Sequence, residues 1–161
     1  GQTEELDMKK TKVSEVLDSK GAEIRTISKE ETVSAAAARM VENNVGSLIV
    51  THSTGIAGII TERDCLRHLA DESADSHAVR VADIMTTDII IANPNQTVPG
   101  CLNIMTAKRF RHLPVVEGKK IVGILSIGDL VKAAIEDQQT EIHYLNEYIQ
   151  GNYPAVTATS V

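Results

Sequence analysis

Aromatic side chains are nearly missing from this sequence, which has no tryptophan, one phenylalanine and three tyrosines among its 161 residues. The core must therefore be built from aliphatic side chains and methionine. The same scarcity removes the stacking platforms on which proteins hold single-stranded nucleic acid. Acidic side chains outnumber lysine and arginine by 22 to 16, and a nucleic-acid binder needs a broad basic surface. We expect no nucleic-acid partner, and any anion must be held by a local cationic site.

Cysteines and long hydrophobic runs are also scarce. Cys65 and Cys101 are isolated and form no C-x-x-C pair, which fits two small core residues in a reducing compartment. No apolar run approaches the roughly 20 residues of a membrane span, and no secretory signal is visible. The sequence therefore predicts no membrane partner.

Signatures of catalysis and of metal binding are missing as well. No histidine forms a motif with a serine or cysteine nucleophile. Cys65 and His68 lie one helical turn apart, but two ligands make no metal site. Gly58 and Gly123 belong to no G-x-G-x-x-G fingerprint, so a Rossmann fold is not supported. We expect no enzymatic activity, no metal and no catalytic cofactor. A nucleotide hydrolase would need a base and a metal site that the sequence does not offer.

A seven-residue pattern occurs twice in the chain. Gly58–Asp64 reads GIITERD and Gly123–Asp129 reads GILSIGD, at a constant offset of 65 residues (123 − 58 = 65 and 129 − 64 = 65). Each copy begins as a buried strand and continues into a helix, with a hydroxyl (Thr61 or Ser126) three residues ahead of a carboxylate. Taken singly, each copy is explained equally well as a capping box.

The repeat extends beyond this pattern. The offset of 65 also pairs Val33 with Val98, whereas at the front of the repeat Val13 matches Val81 at an offset of 68. The sequence predicts a duplicated β-α-β-β-α unit. A unit of this size cannot bury its sheet face alone, so two copies should pack about a pseudo-two-fold axis. The fold class is therefore α/β (α+β).

The domain boundaries follow from the duplication. We predict the first repeat over residues 12–70, the second over 80–136, a helical extension over 137–150 and a flexible tail over 151–161. Ile24–Ile27 and Ile89–Ile91 are the predicted first strands of the two repeats.

The last predicted helix is longer than its counterpart in the first repeat. Apolar residues keep helical spacing along it at Leu130, Ala134, Ile135, Ile142, Leu145 and Ile149. We predict that this stripe packs against a partner, most simply in a homodimer. The alternative is that the helix folds back on its own domain.

The start of each duplicated helix has chemistry that suits a nucleotide. A helix N-terminus carries unpaired amides and a positive dipole end, and a hydroxyl there can donate to a phosphate. An aspartate can accept from both hydroxyls of a ribose, each charge-assisted bond contributing about 1.5–3 kcal/mol. The basic run Lys108–His112 lies in an acidic protein and is explained either as a solvated helix end or as a phosphate site. We favour phosphate contact for Arg111, with Arg63 a weaker candidate.

Two copies of this G-h-h-[ST]-x-x-D pattern, where h is a hydrophobic residue, resemble a tandem pair of cystathionine-β-synthase (CBS) domains, a Bateman module. The resemblance covers about residues 13–149 and is closest to stand-alone two-repeat proteins of bacteria and plant organelles. It implies a regulatory module that binds an adenosine ligand in clefts between the repeats and controls an unknown protein target. AMP is the first choice, with ATP, NAD(H) or S-adenosylmethionine as alternatives. It also implies a bacterial-type cytoplasmic location or, in a eukaryote, an organelle such as the mitochondrion.

The resemblance assigns roles to individual residues. It implies that Asp129 and Asp64 bind the ribose. It also implies that the hydroxyls of Ser126 and Thr61 lie near the phosphate. Phosphate contacts fall to Arg111 and His112. The backbone that holds adenine is implied near Thr26, Ile27, Gly46, Ser47 and Leu48 for the Asp129 cleft, and near Ile90, Ile91 and Pro114 for the Asp64 cleft.

The first copy departs from the family pattern. Gly46–Ser47 replaces the arginine–histidine pair, and Ile49 replaces the proline. The Asp64 cleft should therefore lack the counterpart of Arg111, unless Arg63, Arg109 or Lys20 supplies the charge. We expect the Asp129 cleft to bind more tightly. The alternative function is a ligand-independent homodimeric interaction or scaffold protein, whose hydroxyl–carboxylate pairs are only helix caps.

Overall fold

A computed structural model describes residues 10–21, 24–53 and 55–150. The predicted tail over 151–161 lies outside these residues. The helices and strands are, in chain order, α1 Val13–Lys20, β1 Thr26–Ser28, α2 Val33–Asn43, β2 Ser47–His52, β3 Gly55–Thr61, α3 Glu62–Leu69, α4 Val81–Ile84, α5 Val98–Lys108, β4 His112–Glu117, β5 Lys120–Ser126 and α6 Ile127–Gln150. Helices and strands follow the predicted order, except that the second repeat lacks its first strand.

The matched helices α2 and α5 begin and end in the same way. Thr32 and Thr97 are their N-caps, and each hydroxyl accepts the amide three residues along the chain. Each helix ends at a residue in the left-handed conformation, Asn44 with φ of 53° and Arg109 with φ of 60°. These four cap residues are related by the same offset of 65 residues (97 − 32 = 65 and 109 − 44 = 65).

The strands form one sheet in each repeat. In the first sheet β1 lies parallel to β2, and β2 pairs antiparallel with β3. In the second sheet β4 and β5 form the matching antiparallel hairpin. Both hairpins have a register shift at equivalent points, between Val50 and Thr51 and between Val115 and Val116. The two consecutive strands of each predicted β-α-β-β-α unit thus form a hairpin.

The predicted strand Ile89–Ile91 is wrong. The chain forms only an isolated parallel bridge there, between Ala92 and Val115. In the first repeat the Ile49 amide donates to the Arg25 carbonyl at 3.1 Å and extends the pairing of β1. The position equivalent to Ile49 is Pro114 (114 − 49 = 65), which has no amide hydrogen to donate.

The short helices α1 and α4 are exchanged between the repeats. The Val13 amide donates to the Gln96 carbonyl and the Val81 amide donates to the Glu31 carbonyl, both at 2.8 Å. Helix α1 therefore packs on the core of the second repeat, and α4 packs on the core of the first. Gly58 permits close approach of the exchanged α4 segment, because a Cβ there would lie 2.5 Å from the Thr86 carbonyl oxygen.

Each repeat has an aliphatic core, as the scarcity of aromatics predicts. The first core contains Ile27, Val33, Ala36, Met40, Leu48, Val50, Ile60, Cys65 and Val81. The second contains Val13, Val16, Leu17, Ala92, Val98, Cys101, Met105, Leu113, Val115, Leu125 and Leu130. Both cysteines are buried and free. Among the described helices, none has the length and apolarity needed to cross a membrane.

Helix α6 is covered by its own chain only in part. Leu130 is fully buried, and the Thr11 hydroxyl donates to the Asp137 carboxylate at 2.6 Å. Ile135 and Ile142 remain 49% and 57% exposed. Folding back on the second repeat therefore accounts for the first turns of α6 and not for Ile142, and the homodimer stays a prediction.

Candidate functional site

Both duplicated helices begin with a reciprocal cap. The Thr61 amide donates to Asp64 Oδ2 at 3.0 Å, and the Asp64 amide donates to Thr61 Oγ1 at 3.1 Å. At the other helix the Ser126 amide donates to Asp129 Oδ2 at 2.8 Å, and the Asp129 amide donates to Ser126 Oγ at 3.1 Å. Each aspartate thus binds its own helix start through Oδ2.

Asp64 is also held by the exchanged segment that follows α4. The Thr86 hydroxyl lies 3.2 Å from Asp64 Oδ1 and 3.3 Å from Oδ2. Thr86 is fixed by two backbone hydrogen bonds with Ile59, at 2.8 and 2.9 Å. As a result Asp64 is buried, with only 8% of its surface exposed.

Asp129 has a different neighbour. Lys20 Nζ donates to Asp129 Oδ2 at 2.7 Å and to the Ile124 carbonyl at 3.2 Å. Burial raises the pKa of Asp129, but the Lys20 ammonium and the hydrogen bonds from Ser126 outweigh it and leave the pKa below its ordinary value. Asp129 is therefore ionised at neutral pH and already paired with the Lys20 ammonium group.

A cavity of about 510 Å³ opens beside Asp64, and we name it the Asp64 cleft. Residues of both repeats line it: Gly46, Ile59, Thr61, Glu62, Arg63, Asp64, Arg67, Thr86, Asp88, Ile89, Lys108, Arg109, Phe110, Arg111 and His112. It brings together the predicted residues Thr61, Arg63, Asp64, Arg109, Arg111 and His112.

Two hollows flank the other duplicated helix, and together we name them the Asp129 cleft. One, of about 300 Å³, is lined by Leu17, Lys20, Gly21, Arg25, Asn44, Val45, Gly46, Ser47, His112, Gly123, Ile124 and Ser126. The other, of about 450 Å³, is lined by Thr11, Glu15, Val16, Ser19, Lys20, Asp129, Lys132, Ala133, Glu136 and Asp137. Lys20 lines both hollows, and carboxylates outnumber cations in the larger one.

The expectation that Arg111 supplements the Asp129 cleft is wrong. The Arg111 carbonyl accepts a hydrogen bond from the Ile127 amide at 2.8 Å, beside the Ser126 helix, but the cleft that Arg111 lines is the Asp64 cleft. The packing of the two repeats places the start of β4 opposite the start of α3. His112 lines both clefts, as does Gly46. The Asp64 cleft does not lack cations, because Arg63 and Arg109, two of the three alternative sources of charge, line it together with Arg111.

The residues expected to hold adenine are divided. Gly46 and Ser47 line the hollow beside Ser126, as predicted for the Asp129 cleft. Thr26, Ile27 and Leu48 lie within β1 and β2 and line neither cleft, and the last two belong to the core. Likewise Ile90, Ile91 and Pro114 do not line the Asp64 cleft, whose apolar wall comes from Ile59, Ile89 and Phe110.

Several residues that line the Asp64 cleft were not predicted from the sequence. Arg67 lies one helical turn after Arg63, and Lys108 begins the basic run, so both had a visible signal. Thr86 and Asp88 had none, because the exchange of α4 between repeats brings them to the cleft. Within the described ranges, no group of three or more histidine, cysteine, aspartate or glutamate residues is placed to hold a metal ion.

Burial and charge act together on His112, which lies between the clefts. Burial lowers its pKa, and the nearby positive charges of Arg111 and Lys20 lower it further against the pull of Asp64 and Asp129. Its pKa therefore lies below the ordinary value of 6.5. The neutral imidazole is the form present at pH 7.

Comparison with known proteins agrees with the duplication. The family model described as the CBS domain matches residues 13–71 and 81–136. A mitochondrial CBS-domain-containing protein of Arabidopsis thaliana, CBSX3, is 37% identical over 159 residues, covering 93% of this chain and 77% of the relative. A solved CBS-domain structure from Burkholderia ambifaria is 42% identical with a TM-score of 0.73, covering 80% of this chain and 97% of the other.

A more distant structure shares the fold. The CBS domain pair of the protein MJ0100 is 22% identical with a TM-score of 0.69, covering 79% of this chain and 98% of the other. It was solved in complex with 5-methylthioadenosine and S-adenosylmethionine.

Proposed function

This chain belongs to the CBS-domain family, and from that premise we propose that it is a regulatory module that binds an adenosine nucleotide and controls a partner protein. One observation carries the proposal. A buried carboxylate, Asp64, lies at a helix start that opens into a cavity lined by five arginine and lysine side chains. Such a cavity has the size of a small-molecule site and combines apolar walls with a few convergent polar groups.

The chemistry of the cleft matches the parts of a nucleotide. Asp64 can accept hydrogen bonds from the hydroxyl groups of a ribose. Because the carboxylate is charged, these hydrogen bonds would be of the stronger, charge-assisted kind. The Thr61 hydroxyl and the first amides of α3 can donate to a phosphate, favoured by the positive end of the helix dipole. Ile59 and Ile89 provide an apolar wall for the base.

The solved structure of the MJ0100 CBS domain pair supports an adenosine-containing ligand. The MJ0100 pair holds two compounds that share adenosine and differ in their other substituents. We therefore propose adenosine as the shared element and AMP, ATP or NAD(H) as the candidate nucleotides. We propose no catalytic role, since the cleft contains no nucleophile with an adjacent base.

Control of a partner requires that the ligand favour one arrangement of the repeats. A ligand shifts such an equilibrium only by its differential affinity for the two states. The clefts are built from both repeats, so an occupied cleft links the start of α3 to the start of β4. We propose that a protein target responds to this arrangement, and that the exposed Ile135 and Ile142 on α6 contribute to a homodimer. The compartment we propose is a cytoplasm or an organelle such as the mitochondrion.

Thermal unfolding in the presence of nucleotides tests this function. A ligand that binds only the folded state at 100 times its dissociation constant stabilises it by about 2.7 kcal/mol. We expect stabilisation by an adenosine nucleotide and little by GMP. The double variant Asp64→Asn/Asp129→Asn should lose the response while keeping both caps, because the carboxamide oxygen of asparagine can still accept the hydrogen bond from the Thr61 or Ser126 amide.

A second candidate function is a ligand-independent scaffold, and the reciprocal caps favour it. Both hydroxyls and both carboxylates already have partners within their own helix starts. This function predicts that AMP, ATP, NADH and S-adenosylmethionine all leave the melting temperature unchanged. A shift with any of them, lost in the double variant, would exclude it.

A further inference from the structure

The charged side chains of the Asp64 cleft have few counterparts in the other repeat. We name Arg63, Arg67, Lys108, Arg109 and Arg111 the cation cluster. The offset of 65 residues relates them, in that order, to Gly128, Lys132, Asn43, Asn44 and Gly46. Only one of these five counterparts is charged. The cluster therefore belongs to one cleft and not to the architecture that the repeats share.

The stability of the fold does not explain the cluster. Arg63 is the second residue of α3, where the positive end of the helix dipole disfavours a cation. Arg63 and Arg67 are four residues apart on one helix, and like charges at that spacing repel. Arg109 occupies a left-handed position where the other repeat has Asn44.

The cluster is also not neutralised from within. Across residues 10–21, 24–53 and 55–150, none of the five side chains forms an ion pair or donates a hydrogen bond. Three carboxylates line the same cleft, Glu62, Asp64 and Asp88, and Asp64 is engaged by Thr61 and Thr86. Five cations against three carboxylates leave an excess of positive charge facing the cavity.

We propose that the cation cluster is a polyphosphate subsite, so that the ligand of the Asp64 cleft is an adenosine di- or triphosphate and not AMP. The proposal rests on the proposed function, which supplies the ribose and base contacts. A single phosphate at the start of α3 leaves most of the cluster uncompensated. A chain of phosphates can continue from Arg63 towards Arg67 and Lys108, in a cavity of about 510 Å³.

Arg67 and Lys108 are the residues that discriminate the longer phosphate chain. Arg67 lies one turn further along α3 than Arg63, away from the helix start that would hold the first phosphate. Lys108 is the last residue of α5, on the opposite repeat. Each should therefore contact a phosphate beyond the first and contribute little to the binding of adenosine or AMP.

Calorimetric titration of adenosine, AMP, ADP and ATP into the full chain tests this inference. We expect affinity to rise along this series. Arg67→Gln and Lys108→Gln should each lower the affinity for ATP by about tenfold, the loss expected for one charge-assisted contact. The affinity for AMP should change by less than about twofold. Lys119→Gln, on the exposed turn of the second hairpin, is the matched control for net charge and should change neither. Melting curves check that each variant folds.

The outcomes separate this inference from the function on which it rests. AMP binding as tightly as ATP, or an equal loss of AMP and ATP affinity in Arg67→Gln and Lys108→Gln, would overturn the polyphosphate subsite and leave the nucleotide module standing. No heat from any compound would overturn both. Inorganic triphosphate is the last probe. If it binds as tightly as ATP, the cleft recognises phosphate without adenosine and the inference is wrong.

Discussion

Lys20 and Asp129 form an ion pair in which Nζ lies 2.7 Å from Oδ2. At the equivalent helix start, Asp64 meets the uncharged hydroxyl of Thr86 instead. The carboxylate expected to hold ribose is therefore bound to an internal cation in one cleft and to a neutral donor in the other. The two clefts are chemically unequal, although one duplicated pattern generates both.

Replacing Lys20 with methionine should cost little stability and should act through Asp129. The two side chains are 42% and 27% exposed, so the pair should contribute less than about 1 kcal/mol. The pKa of Asp129 is lowered in the folded state, so its contribution is present above the ordinary value of 3.8 and is lost as pH falls through the lowered value. Urea denaturation should therefore show a deficit for Lys20→Met at pH 7 that shrinks towards pH 3. An equal deficit at both pH values would show that packing, not charge, is lost.

His112 should make the fold less stable in mild acid. Because burial and the neighbouring cations lower its pKa, the unfolded chain binds a proton more readily than the folded chain below the ordinary value of 6.5. Its contribution is present above that value and is lost as pH falls from there towards the lowered pKa. The difference in unfolding free energy between wild type and His112→Gln should change between pH 7 and pH 5, with wild type losing more. Parallel curves would contradict this assignment.

Arg109→Asn should stabilise the fold and weaken polyphosphate binding. The variant places asparagine at a left-handed C-cap, as Asn44 already does in the other repeat, and should gain up to about 1 kcal/mol. It also removes one charge of the cation cluster. The mirror variant Asn44→Arg is the control and should lose a similar amount of stability. Chemical denaturation of both variants measures their stability, and ATP titration measures their binding. A destabilised Arg109→Asn would contradict the prediction.

Gly58→Ala should destabilise the fold more than Gly123→Ala, although the two glycines are equivalent by the offset of 65 residues. A Cβ on Gly58 would lie 2.5 Å from the Thr86 carbonyl oxygen, a fixed backbone atom, and the clash should cost about 1–3 kcal/mol. A Cβ on Gly123 would meet Leu17 Cδ2 at 2.6 Å, the end of a side chain that can rotate away. Unfolding free energies of the two variants give the comparison. Equal losses would contradict the close packing of the exchanged segment on β3.

The sequence was sufficient to predict the elements that depend on local pattern. Periodicity and the repeat predict the duplicated strand-to-helix turn and the two consecutive strands that form each hairpin. The absence of a strand at Ile89–Ile91 could have been predicted from Pro114. Proline has no amide hydrogen, so it cannot donate the hydrogen bond that would pair a strand there with β4.

The assignment of side chains to clefts required the packing. The Arg111 carbonyl is bonded to the start of the Ser126 helix, but Arg111 lines the cleft beside Asp64 of the other repeat. Thr86 reaches Asp64 only because α4 is exchanged between repeats. Both relationships depend on how the two repeats pack, and no spacing along the chain encodes that.

Calorimetric titration of ATP into wild type, Asp64→Asn and Asp129→Asn tests whether the Asp64 cleft is the nucleotide site. Both substitutions remove one charge and keep an oxygen that can accept the hydrogen bond from the Thr61 or Ser126 amide. We predict saturable binding to wild type, a loss of at least about tenfold in Asp64→Asn, and affinity close to wild type in Asp129→Asn. No binding to wild type, or a loss confined to Asp129→Asn, would contradict the account.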